Sequence, residues 1–379
     1  MRKMLSLLAA LCLLAPCAAA EEELSISDLI DAGSGVVTGL ETEQEAGEAL
    51  EEVPAEPPEE EDGTRLITAT FAGDFTIGGD SRKRTNIFED ELKKQDGDIN
   101  FTMRNVRDIL MEDDLTLINF EGTLTNSTHV PDNKRENQFL FSAPPEYVSI
   151  LTDNGVEAVA LENNHVMDHG EEVYQETQQT LTDAGIVWSN AETVGEITVK
   201  GVKIGMLSYQ TFDRYDTLFT QVPLDVAEAK ARYDLVIVSF HWGNEKDYAP
   251  NKNQQKMGKL AIDAGADLVV GHHSHRINPI EEYKGKYIVY SLGNFCFAGN
   301  SKPSDMSSFL FQMRWRVHEN TITQEGWRII PIRISSRSDY NDFAPTVLEK
   351  ATAIDGLLTT LKENGKKLEN PVAEYPLTW

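Results

Sequence analysis

Between Leu66 and Val270 five short apolar runs each close directly on a cluster of residues able to do chemistry. Leu66–Ala72 leads into Gly73-Asp74, Leu115–Phe120 ends in Asn119-Phe120-Glu121-Gly122, and Val156–Leu161 precedes Asn163-Asn164-His165 with Asp168. Leu235–Phe240 runs into His241-Trp242-Gly243 with Glu245, and Leu268–Val270 into Gly271-His272-His273-Ser274-His275. Runs of this length read as strands, and helix-like stretches lie between them, so the pattern predicts an α/β layered domain. In such sheets catalytic groups collect at the carboxyl ends of strands, which is where these clusters stand.

Singly, each cluster has a plain structural explanation. Asp74 could cap a turn, Glu121 could be a solvated loop acid, and a lone His241 could be a histidine satisfied near the core. The joint pattern is harder to explain that way, because five of the eight histidines fall in three of these loops. His273 and His275 flank one serine and can turn towards a single centre, and neutral imidazole is a common transition-metal ligand. Carboxylates and an amide beside imidazoles, with no thiolate, suit Mn, Fe or Zn better than Ca or a structural zinc. Six such ligands exceed the needs of one tetrahedral ion, so two divalent ions sharing a carboxylate are expected, an arrangement used in phosphoryl transfer.

Charge narrows the partners. The formal net charge is −28, and residues 21–63 carry 16 acidic and no basic residues. The rest of the chain is also acidic, which argues against nucleic acid, whose binding relies on clustered Lys and Arg. Residues 21–63 also lack aromatics and read as a disordered acidic linker. Ahead of them, Arg2 and Lys3, the apolar Met4–Leu14 and Ala18-Ala19-Ala20 form the three-part pattern of a signal peptide spanning residues 1–20. The expected location is therefore extracytoplasmic, with lipid anchoring at Cys17 as the alternative to cleavage. Cleavage after Ala20 leaves Cys296 as the one cysteine, so no intrachain disulfide is expected.

Further along, Gln254–Ala264 places Met257, Leu260, Ala261 and Ala264 on one helical face, and Gly265 supplies a stop. Tyr287–Tyr290 reads as another strand. Phe309–Val317 and Trp327–Ile334 come without an intervening helix and suggest a second, more antiparallel sheet. The main domain is set at 64–340, followed at 341–379 by a helix, Thr346–Leu361, and a polar tail.

The ordered motifs Gly73-Asp74, Asn119–Gly122, Asn163–Gly170, His241–Glu245, Gly271–His275 and Ser291–Phe295 resemble those of the CapA family of poly-γ-glutamate capsule synthesis proteins, a branch of the calcineurin-like metallophosphoesterases. The resemblance implies a four-layer α/β/β/α sandwich holding two metal ions. Asp74 and His275 would hold one ion, Asn164, His241 and His273 the other, and Glu121 would bridge them. His165, oriented by Asp168, would act as general acid or donate to a developing oxyanion. Trp242 and Glu245 would line the pocket, Asn294 and Phe295 would form its far wall, and His272 would support the site from beside the ligands. Two positions depart from the pattern. Thr76 stands where the wider superfamily has histidine, which predicts a weaker first ion. Asn278 stands where the family usually has glutamine, which predicts an altered substrate contact.

The implied function is synthesis, export or remodelling of an anionic cell-surface polymer. Two rivals remain at this stage: a general phosphoesterase acting on phosphorylated substrates outside the cytoplasm, and a noncatalytic partner of a membrane polymer synthase.

Overall fold

In the computed structural model the described residues are 63–132, 134 and 138–379. The expected leader and nearly all of the acidic linker, residues 1–62, lie outside them.

Two large sheets form the centre of the molecule. The first runs in the order Thr346–Val347, Thr321–Arg333, Ser307–His318, Arg65–Thr76, Leu115–Phe120, Ala158–Ala160 and Val187–Ser189, with Asn294–Phe297 also paired to Arg65–Thr76. The second runs Ile280–Tyr283, Lys286–Val289, Leu268–His272, Leu235–His241, Val202–Gln210 and Gly195–Val199. Within each, the strands that end in polar clusters are parallel: Ala69 stands opposite Leu115, Leu117 opposite Ala158, and Ile237 opposite Leu268. Their carboxyl ends therefore share one edge.

Side-chain alternation sorts the apolar residues into three cores. On Leu235–His241, Leu235 and Ile237 face the first sheet and join Ile67, Phe71, Leu117 and Phe311, whereas Val236, Val238 and Phe240 face outward to helices Tyr215–Lys230 and Lys252–Ala264. On the far side of the first sheet, Ala72, Ile118 and Val159 meet Phe88, Leu110, Tyr174 and Leu181 from helical segments. Helix, sheet, sheet, helix is thus the order of layers, as the motifs imply. Each of these fully buried Leu, Val or Phe side chains contributes about 1.5–3 kcal/mol.

Helix Lys252–Ala264 shows how local sequence sets such an element. The Asn251 side chain accepts from the Asn253 and Gln254 amides, the Gln254 side chain answers to the Asn251 amide, and Gly265 ends the helix at φ 118°, in the left-handed region.

Three expectations need correction. Ser307–His318 and Thr321–Arg333 do not form a separate sheet. They pair antiparallel with each other, and the former pairs with Arg65–Thr76, so they widen the first sheet. Thr346 and Val347 pair with Ile332 and Arg333, and the helix starts only at Ala351, running to Gly365. Its Leu357 and Leu361, with Tyr375 beyond, lie in the core between the sheets. Val202–Gln210, not anticipated from sequence, is a central member of the second sheet. No helix among the described residues is long and apolar enough to cross a membrane.

Candidate metal centre

The carboxyl ends of both sheets meet at Asp74, which is fully buried at the end of the first strand. Gly73 before it allows the approach: a β-carbon there would stand 1.9 Å from the Gly293 carbonyl oxygen, to which the Asp74 amide donates at 3.0 Å. Asn119, at the end of the neighbouring strand, donates from Nδ2 to Asp74 Oδ1 at 2.8 Å. From the second sheet the His273 amide donates to the same oxygen at 3.4 Å.

Asp74, Glu121 and His275 offer ligand atoms that all lie within 4.8 Å of one another. Glu121 is fully buried and both of its carboxylate oxygens lack a hydrogen-bond partner. A buried carboxylate without donors is costly unless a cation compensates it. Around it, Oε1 stands 3.8 Å from His241 Nε2, 3.8 Å from His165 Nε2 and 4.0 Å from His275 Nε2. His241 donates from Nε2 to Asn164 Oδ1 at 2.6 Å, and its ring lies 4.7 Å from that of His273, whose buried Nδ1 has no partner. Glu121 therefore stands beside an imidazole of each expected ligand set, His275 of the first and His241 of the second.

The electrostatics suit a cation. Burial, then the charge of Asp74, pushes Glu121 up to about 7. Burial disfavours charge on His275, but Glu121 and Asp74 outweigh it and raise the imidazole to about 10, so a proton on His275 supplies the positive charge here. Burial also raises Asp74, yet the hydrogen bond and charge of His275 prevail and hold it below the usual carboxylate range. His275 Nδ1 lies 2.8 Å from Asn294 Oδ1 and 3.0 Å from Asp74 Oδ2, so the two oxygens share its one hydrogen. Burial keeps His241, His272 and His273 neutral, the last two down to about 4, and neutral imidazole is the form that ligates.

His273 and His275 reach this centre through strained backbone. Their φ values are 88° and 52°, a region that side-chain-bearing residues seldom adopt and that clusters at functional sites. Ser274 between them fixes the turn, donating to Ser291 Oγ at 3.0 Å. His165 donates from Nδ1 to Asp168 Oδ2 at 2.7 Å, while Lys134 Nζ and the Phe141 amide bind the same carboxylate at 2.9 and 2.8 Å.

Other expected site residues lie elsewhere or act differently. Trp242 is fully buried in the outer core, stacked on Phe240 at 4.5 Å and donating to the Tyr290 carbonyl at 2.9 Å. It follows inward-facing His241, so strand alternation turns it away from the pocket. Phe295 packs on Phe75 in the core beneath the helices and does not wall the site. His272 is buried behind Asp74, its Nδ1 3.7 Å from Oδ1, out of a substrate's reach. Asn278 directs its amide to the Asp247 carbonyl and Ser274 Oγ, stapling two loops together. Glu245 is exposed and close enough for its charge to add to the rise of Glu121. Asn294 orients His275, and Thr76 is buried with its hydroxyl unpartnered.

Sequence reasoning missed Asn119, Lys134, Phe212 and Phe141. The first was visible within its motif, where its amide ties Asp74, His241 and Asn163 together. Phe212 packs against the His273 ring at 4.4 Å, and Phe141 against His165 at 4.6 Å. Nothing in the local sequence marks Lys134.

Among known proteins, the PGA biosynthesis protein CapA of Bacillus subtilis is 31% identical over 252 residues, covering 61% of this chain and 63% of that protein. A probable polyglutamine synthesis accessory protein of Mycobacterium tuberculosis is 31% identical over 211 residues, covering 48% and 55%. The chain thus spans less than two thirds of the curated relatives it matches. The calcineurin-like phosphoesterase YfkN of Bacillus subtilis superposes with a TM-score of 0.41 at 15% identity, over 79% of this chain and 99% of that one. The profile of the bacterial capsule synthesis protein PGA_cap matches residues 68–299, which include every motif described above, and the chain belongs to that family.

Proposed function

We propose that this protein acts outside the cytoplasm as a metal-dependent hydrolase in the synthesis, export or remodelling of an anionic cell-surface polymer such as poly-γ-glutamate. The family and its relatives support the pathway; the site supports the chemistry. The observation that carries the chemistry is Glu121, a fully buried carboxylate with no hydrogen-bond donor on either oxygen, set among imidazoles.

In this reading Asp74 and His275 hold one divalent transition ion, Asn164, His241 and His273 the other, and Glu121 is shared. Such a pair supplies Lewis acidity toward the electrophilic centre of the substrate. The chain's own residues do the rest. Asp168, held by Lys134 and the Phe141 amide, fixes the Nδ1 hydrogen of His165. His165 Nε2 then faces the reacting group and moves its proton. Phe212 and Phe141 pack against the flanking imidazoles and limit their motion.

Elemental analysis of the purified protein, combined with a substrate screen that includes γ-linked glutamate polymer and aryl phosphodiesters, tests this. About two ions per chain and turnover lost in His165→Ala are expected. Absence of both metal and turnover would favour a noncatalytic partner of a polymer synthase, the reading suggested by the accessory role in the mycobacterial relative's name.

A further inference from the structure

Arg82, Lys83 and Arg84 are consecutive cations in a chain of formal net charge −28. They stand on the turn between Gly79–Asp80 and helix Ile87–Lys94, with Lys83 and Arg84 exposed. Asp80 lies beneath them, 3.6 Å from Arg82 and 4.0 Å from Lys83, and offsets part of their charge. The acids that open the neighbouring helix are engaged elsewhere: Glu89 accepts from the Tyr147 hydroxyl at 2.6 Å and Asp90 pairs with Lys93 at 3.6 Å.

A row of aromatic rings leads from these cations to the candidate centre. Lys83 Nζ lies 4.6 Å over the Phe139 ring, which is 46% exposed. Phe139 stacks parallel on Phe141 at 5.7 Å. Phe141 contacts His165 at 4.6 Å and Phe297 at 5.9 Å, and Phe297 contacts His275 at 4.9 Å. Beside this row, Lys83 and Phe141 line a cleft of about 220 Å³ closed by Asn86 and the Ala298–Ser301 loop. That is smaller than the roughly 300–1,000 Å³ of a small-molecule pocket. It suits one unit of a longer chain.

We propose that this strip is the entry subsite for a polycarboxylate chain, whose carboxylates lie on Arg82–Arg84 and whose methylene stretches lie on the exposed Phe139 ring, which the buried Phe141 backs. The assignment rests on the reading that the site acts on an anionic polymer. Charge complementarity favours that occupant, because the strip is basic while the chain as a whole repels polyanions. Nucleic acid would need a broader basic face. An exposed apolar ring set beside the cations matches carboxylates spaced along carbon chains, not a row of phosphates.

Binding of a fluorescent γ-linked glutamate oligomer to the full chain, read by anisotropy at low and high salt, tests the assignment. Lys83→Glu with Arg84→Glu is expected to weaken binding at least about tenfold at low salt, and less at high salt, where charges are screened. Phe139→Ala is expected to weaken it by about fivefold at both, through lost apolar contact. Lys366→Glu, a charge reversal at the end of helix Ala351–Gly365 and away from the strip, should leave affinity within about twofold, and the melting temperatures of the strip variants should match the parent. Unchanged affinity in the double charge reversal would overturn the proposal. So would equally tight binding of inorganic polyphosphate or anionic vesicles with no effect of Phe139→Ala. Turnover plays no part in this readout. Binding through the strip without hydrolysis would sink the hydrolase reading alone, and hydrolysis with unaltered affinity in the double variant would sink the strip alone.

Discussion

Lys134 and His165 hold the two oxygens of one carboxylate: Nζ binds Asp168 Oδ1 at 2.9 Å and Nδ1 binds Oδ2 at 2.7 Å. Asp168 is 1% exposed, so its charge is compensated from both sides within the protein. Replacing His165 with Ala should leave the metal content unchanged and lower kcat by roughly 10²- to 10⁴-fold, the usual contribution of a positioned acid or base. Loss of metal in that variant would make His165 a ligand.

The two halves of the centre should differ in affinity. In the proposed assignment four ligands, Asn164, His241, His273 and shared Glu121, would stand against three, Asp74, His275 and Glu121, because Thr76 offers no imidazole. Titration with a chelator should release metal in two steps, with His275→Ala removing the weaker and His273→Ala weakening the tighter. A single step of equal affinity would contradict the assignment.

Trp242 gives a prediction opposite in kind to that expected of a pocket residue. Truncation to Ala should cost about 3–5 kcal/mol, as for other buried aromatics. Trp242→Phe, which loses the bond to the Tyr290 carbonyl, should cost about 1–2 kcal/mol with KM unchanged. A changed KM with unaltered stability would return this ring to the pocket.

Asp113 should make stability depend on pH. Burial raises its carboxyl from 3.8 to about 7, against hydrogen bonds from Thr70 and Thr116. A raised acid favours folding while protonated, so its contribution is full below about pH 4 and disappears as pH rises through about 7. Asp113→Asn should therefore match the parent near pH 4 and exceed it by up to about 4 kcal/mol at pH 8.5. Urea melts at the two pH values check this, and equal differences at both would refute it.

How much of this was legible beforehand depended on which physical signal each residue carries. Leu115–Phe120 and Leu235–His241 are buried along their whole length and mostly apolar because both faces are covered, and they were readable almost to the residue. Val202–Gln210 was not, since Lys203 and Gly205 interrupt it. Gly205 is there because the Tyr233 ring occupies the space of a side chain, its nearest atom 2.4 Å from where a β-carbon would sit. Trp242 and Phe295 were read as pocket walls through their closeness to site residues in sequence. Period-two alternation contained the correction, since neighbours on a strand point to opposite faces. The helix start at Ala351 carries no capping side chain to announce it. Lys134 reaches Asp168 across 34 positions, a contact only the folded chain reveals.

Because Asp74 and Glu121 stand on or just past strands of one sheet and His241 and His273 on or just past strands of the other, the centre doubles as a rivet between them. Ions held there would bind only the assembled pair of sheets and would stabilise it by RT ln(1 + [L]/Kd), about 2.7 kcal/mol at a hundredfold excess over Kd. The linkage runs both ways. Any change that lets one sheet slide on the other, such as a cavity at Leu361 far from the site, should first appear as a looser grip on metal, before the fold itself fails.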